Sequence, residues 1–142
     1  MKKLLLSLTL AFIMVFTFTT SAFAAVPDEV VAEPRLTSSI NISVSRESGT
    51  YGVGTINCNF AGTMDSFTVD VYLQKLSNGS WVNDTSNQDY HKRVYGSNRS
   101  SAFFDVEYDK FVYGTLYRLK VVSKTVASTG TTYQRSAYSA TF

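Results

Sequence analysis

The stretch Phe67-Thr68-Val69-Asp70-Val71-Tyr72-Leu73-Gln74 decides the fold. Large apolar side chains at 67, 69, 71 and 73 alternate with polar or amphipathic ones at 68, 70, 72 and 74. A period of two places these sets on opposite faces of a β-strand, one dry and one wet. Two residues after Leu76 comes Asn78-Gly79, framed by Ser77 and Ser80. Asn-Gly tolerates positive φ at both central positions of a tight hairpin turn, so the chain reverses there and returns through Trp81 and Val82.

The same grammar extends in both directions. Ile40, Ile42 and Val44 alternate with polar residues, and Arg46 to Thr50 turns. Ile56, Cys58 and Phe60 form a second alternating run, preceded by Gly52 and Gly54, where a bulge is expected. Residues 84–97 are polar and unpatterned and read as a long excursion. Ala102, Phe104 and Val106 alternate again. From Leu116 to Thr125, Tyr117, Leu119 and Val121 face one way and Arg118, Lys120 and Lys124 the other. Ser128 to Thr131 turns, and Tyr133 to Phe142 is a last strand expected to carry Tyr138, Ala140 and Phe142 inward. Seven short strands with closely spaced turn residues predict an all-β antiparallel sandwich, with one wet face on each sheet.

The N-terminus supplies an address. Lys2 and Lys3 precede an apolar run from Leu4 to Phe18, and Ala22-Phe23-Ala24 ends it with small residues at the two cleavage positions. This pattern predicts a secretory signal helix over residues 1–24, cut before Ala25. The run is short for a bilayer span, which needs roughly 20 apolar residues. Residues 25–36, with both prolines among acidic side chains, read as a linker, and 37–142 as the sandwich domain. The expected product is secreted, to the extracellular space or a periplasm, and monomeric, with no membrane attachment after cleavage.

Charge and cysteine content narrow the classes. The full chain holds 13 basic and 11 acidic side chains, and loss of Lys2 and Lys3 leaves a neutral mature protein. That balance offers no basic stripe for nucleic acid. Cys58 is the lone cysteine, so no internal disulfide forms, and a disulfide-free exported domain suggests a bacterial source. Cys58 lies between Ile56 and Phe60 in an alternating run and reads as a buried small hydrophobe.

Phe111-Val112-Tyr113-Gly114-Thr115-Leu116-Tyr117-Arg118-Leu119-Lys120-Val121 resembles the turn into the sixth strand of a fibronectin type III domain, within the immunoglobulin-like β-sandwich superfamily. Gly114, Thr115, Tyr117, Leu119 and Val121 match that family's pattern; Phe111 stands for its leucine and Tyr113 for its proline. The resemblance implies a structural corner in which Phe111 plugs the end of the sandwich and the Tyr117 hydroxyl bonds upstream backbone around Gly114. The family's core tryptophan on the second strand is replaced here by the Ile56, Cys58 and Phe60 run. No Arg-Gly-Asp occurs, so the family's adhesive activity is not implied.

Little chemistry is legible. His91, the one histidine, falls in the polar stretch Asp89 to Arg93 and is expected in a loop without a catalytic role. Asp105, Glu107 and Asp109 alternate, a spacing that reads as a solvated edge more readily than as a calcium loop. No nucleophile motif, phosphate loop or metal-ligand cluster is present, so no enzyme activity, metal or cofactor is expected. The Asn-x-Ser/Thr triplets at Asn41, Asn78, Asn83 and Asn98 read as strand and turn residues.

Two surfaces are candidates for binding. One is a sheet face carrying Tyr72, Arg118, Lys120, Tyr133 and Arg135, where tyrosines among cations suit a sugar-like or anionic surface. The other is the end bearing Trp81 and the excursion with Tyr90, Tyr95 and Arg99. Trp81 belongs either to that site or to the cap of the core. The function expected is a non-catalytic module that binds a cell-wall glycan or an extracellular protein. The rival expectations are a secreted antimicrobial or protease-inhibiting effector and a structural matrix subunit associating through strand edges.

Overall fold

The computed structural model describes residues 37–142; the expected signal and linker lie outside the described residues. Among these residues the chain is all-β. Its strands are β1 (Thr37–Arg46), β2 (Gly52–Met64), β3 (Ser66–Ser77), β4 (Ser80–Asn83), β5 (His91–Gly96), β6 (Arg99–Tyr108), β7 (Tyr117–Val126) and β8 (Thr132–Tyr138). Two antiparallel sheets result. One has the order β1-β2-β6; the other has the order β4-β3-β7-β8, with β5 also paired to β3. Their apolar faces meet in a single core, the arrangement of a β-sandwich.

The described residues form eight strands, not seven. The extra one, β5, lies inside the stretch expected to be an excursion. β4 pairs with β3 over Gln74 to Ser77, and β5 pairs with β3 over Phe67 to Tyr72. The two therefore share one edge of β3, end to end, with residues 84–90 leaving and rejoining it. The alternation of β5 is hard to see because Lys92, Val94 and Gly96 occupy its inward phase. Gly96 is small because the Phe67 ring covers it: an added Cβ would lie 2.7 Å from Phe67 Cε1.

The core follows the quoted stretch. Val69, Val71 and Leu73 are fully buried, opposite Leu119 and Val121 on β7 and facing Ile56 and Cys58 of the other sheet. The hairpin after Ser77 has φ of 50° at Asn78 and 77° at Gly79, the left-handed pair that a two-residue turn needs. Asn98 sits in a second turn with φ of 55°.

Two sequence expectations are corrected here. Gly52 and Gly54 do not bulge; both lie in an unbroken register with β1 and β6. They are small because neighbouring side chains approach closely: a Cβ on Gly54 would lie 2.3 Å from Leu119 Cδ1 of the opposite sheet. The second correction concerns β8. Tyr138 pairs with outward-facing Lys120 and is 52% exposed, and Ala140 is exposed, whereas Phe142 packs against the core. Tyr138 and Phe142 are four positions apart, but their partners on β7, Lys120 and Tyr117, are three apart. The extra residue flips the phase, as a bulge does.

Candidate functional site

Pairing in the five-stranded sheet aligns its outer face in rows, because directly opposed residues project to the same side. One row reads His91, Tyr72, Lys120, Tyr138; the next reads Asn83, Gln74, Arg118. Trp81 pairs with Leu76 one row further on. The hairpin at Asn78-Gly79 brings Trp81 onto this face rather than over the core.

The centre of the face is Arg118. Its guanidinium carbon lies 4.4 Å from the centroid of the Trp81 ring and 4.2 Å from that of Tyr138. Both distances are within cation–π range. Arg118 Nε donates to Gln74 Oε1 at 2.9 Å, and Gln74 Nε2 donates to Asn83 Oδ1 at 3.1 Å. Gln74 is 7% exposed although it lies on the wet face, because these groups cover it and satisfy its amide.

A second cluster adjoins it. The Tyr72 and His91 rings stack with centroids 4.5 Å apart and planes within 6°. His91 Nε2 lies 2.7 Å from Asp70 Oδ1, and Arg93 donates from Nε at 2.7 Å and from Nη2 at 3.1 Å to the two oxygens of the same carboxylate. Partial burial opposes ionisation of Asp70, but the hydrogen bonds from Arg93 and His91 outweigh it and hold the carboxyl below its usual value. His91 is thus a strand residue with a ring and a carboxylate for partners, not the loop residue expected.

The structure regroups the sequence candidates. Tyr72, Arg118 and Lys120 share the outer face, and Trp81 joins them from the other candidate set. Tyr133 and Arg135 do not: they pair with Thr125 and Ser123, both fully buried, and so belong to the inward side of β8. Tyr90 packs against the core. Tyr95, 80% exposed, and Arg99 line a groove of about 460 Å³ between β5 and β6, together with exposed Phe103. Residues 84–90 are not a free loop. Asp84 and Asn87 are buried; Asn87 Nδ2 donates to the Asp109 carbonyl at 2.9 Å, and Asp84 takes Lys75 Nζ at 2.8 Å and the Ser86 hydroxyl. Burial works against the charge on Asp84, but its bonds from Lys75 and Ser86 prevail and lower its pKa.

At the corner, Tyr117 is fully buried and its hydroxyl accepts the Val112 N–H at 3.0 Å, while Gly114 takes φ of 77°. The Phe111 ring lies 4.7 Å from Tyr117 and 5.6 Å from Phe142. Cys58 is fully buried, and burial pushes its thiol up to about 11. Asp105 accepts from the Thr55 hydroxyl at 2.7 Å on the outer face of the smaller sheet. No group of three His, Cys, Asp or Glu among the described residues is placed to hold a metal.

Sequence reasoning missed Tyr138, His91 and Arg93 as members of one surface. For Tyr138 the misleading feature was size: a large ring near the chain end reads as core. For His91 and Arg93 the signal was present, since their spacing of two marks one strand face.

The chain matches no protein-family model and no curated protein. Over 73% of its length it is similar to part of a solved structure, Bacteroides uniformis beta-glucuronidase 2 covalently bound to cyclophellitol-6-carboxylate aziridine, at 16% identity and a TM-score of 0.41. The chain spans 13% of the length of that protein.

Proposed function

We propose that this protein is a secreted, non-catalytic sandwich of the fibronectin-III or immunoglobulin-like type that binds a cell-envelope polymer. The fold part of this reading is supported by the strand order of the two sheets and by the Tyr117 hydroxyl on the Val112 N–H, the contact that the motif resemblance implies. The functional part is carried by one observation: the Arg118 guanidinium between Trp81 and Tyr138, with the Tyr72–His91 stack in the adjoining row, gathers four rings and a cation on one outer sheet face. Such a surface offers flat apolar area with polar edges, which suits an extended chain of sugar units better than a small molecule needing a concave pocket.

The test is co-sedimentation of the protein with purified cell walls. Wild type pellets with the walls, and Trp81→Ala or Tyr72→Ala leaves it in the supernatant. Unchanged sedimentation of both variants refutes this face as the binding surface. A second reading, a matrix subunit, draws on the outer edge of β6, where Phe103 is 69% exposed beside the Tyr95 groove. It expects concentration-dependent assembly on a sizing column, abolished by Phe103→Lys.

A further inference from the structure

Arg118 differs from the other ion-paired or stacked cations of the domain in what it leaves unused. Arg93 spends Nε and Nη2 on Asp70, Lys75 is on Asp84, and Lys92 is on Asp89 at 2.9 Å. Arg118 is committed only to the Trp81 and Tyr138 rings and, through Nε, to Gln74. Its terminal amino groups have no hydrogen-bond or ion-pair partner among the described residues. A guanidinium presents its donors as a planar fork that matches the two oxygens of a carboxylate or phosphate. Here the fork is held by two rings and an amide before any ligand arrives, so little side-chain freedom remains to be lost on binding.

The surroundings favour an anion that repeats. Lys120 lies two residues along on the same face, about 7 Å away at ordinary strand rise, in no ion pair among the described residues. Lys124 continues the line along β7. The carboxylate of this face, Asp70, is shared between His91 and Arg93 and so does not compete for Arg118. Three cations in a line on a neutral mature chain are too few for a nucleic-acid surface. Arg118 and Lys120, with Lys124 beyond the outward Val122, suit a polymer that carries several acidic groups along one chain, and its sugar rings supply apolar area for the aromatic side of the face.

We propose that Arg118 is a preformed oxyanion clamp for the carboxylate or phosphate groups of an acidic sugar polymer, with Lys120 receiving the next anionic group along the chain. This rests on the outer face being the binding surface.

The experiment measures binding of the purified protein to polygalacturonate, phosphorylated dextran, neutral dextran and poly(dT), with cell-wall co-sedimentation run in parallel. Binding to either acidic polymer that weakens with salt, with none to dextran, is expected; which acidic polymer binds identifies the carboxylate or phosphate source. Arg118→Lys keeps the charge and removes the fork, and is expected to weaken binding about tenfold or more in a protein whose circular dichroism still shows the folded state at the assay temperature. Lys120→Gln weakens it less and lowers the salt dependence. The clamp is overturned by equal binding to dextran, by equal binding to poly(dT), or by no binding to either acidic polymer. If walls release Trp81→Ala but retain Arg118→Lys as well as wild type, the face stands and the clamp falls. If walls retain both variants, both fall.

Discussion

Replacing Gly54 by alanine tests how closely the two sheets approach. Gly54 is buried in the inward phase of β2 and has no positive φ, so glycine is not there for its backbone. In an ordinary strand conformation an alanine gains about 0.5–1 kcal/mol over glycine. Against that, the new Cβ would lie 2.3 Å from Leu119 Cδ1 and 3.2 Å from Val106 Cγ2. Carbon atoms rest at about 3.5–4.0 Å, so Leu119 must retreat by more than ~1 Å, and it is fully buried with no exposed side to move toward. Overpacking of this kind costs about 1–3 kcal/mol. The upper end applies, and the net loss is about 2 kcal/mol, or about 10 °C in melting temperature for a roughly 100-residue domain. Thermal and urea unfolding followed by circular dichroism measure it. Leu119→Ala alone removes about 3 kcal/mol. In the double variant the methyl group added at Gly54 enters the space vacated by Leu119, and the loss falls short of the sum by about 1–2 kcal/mol. A Gly54→Ala protein as stable as wild type or more so, the result a solvent-facing bulge would give, refutes the close-approach argument.

Four further outcomes are expected. Tyr117→Phe loses about 1 kcal/mol in urea unfolding, because its hydroxyl holds the Val112 N–H. Tyr108→Phe is neutral or stabilising, because the buried Tyr108 hydroxyl has no partner among the described residues and burial raises its pKa; equal losses for the two variants contradict this assignment. Asp70 and Asp84 have folded-state pKa values below their unfolded ones, so below about pH 4 the unfolded chain binds more protons and stability falls with the pH. Asp70→Asn flattens that acid limb, and an unchanged limb counts against the ion-pair cluster. Cys58, fully buried with a raised pKa, reacts with a thiol reagent only on unfolding, so labelling of the native protein at neutral pH contradicts its place in the core.

Local pattern carried much of the fold. The strands around Ile42, Ile56, Val71, Val106 and Val121 are legible because each buries one face, and burial imposes a period of two that no other element shares. The Asn78-Gly79 turn is legible because its backbone chemistry is local. β5 was not legible: it is an edge element whose inward phase holds a lysine and a glycine around the single apolar Val94, too little to show a period of two.

The sequence by itself determined that the described chain is built of alternating strands and tight turns, and that Tyr117 and Phe111 mark a corner. It also placed Tyr72 on the wet side of one strand and Arg118 and Lys120 on the wet side of another, since alternation along a strand needs no partner to define it. What only the tertiary structure decided is which strands lie side by side and in what phase. That phase depends on inter-strand register, a non-local quantity which a single extra residue near Ser139 inverts. It moved Tyr138 outward against Arg118, moved Tyr133 and Arg135 inward, and joined Trp81 and His91 to a face that their sequence neighbours did not suggest.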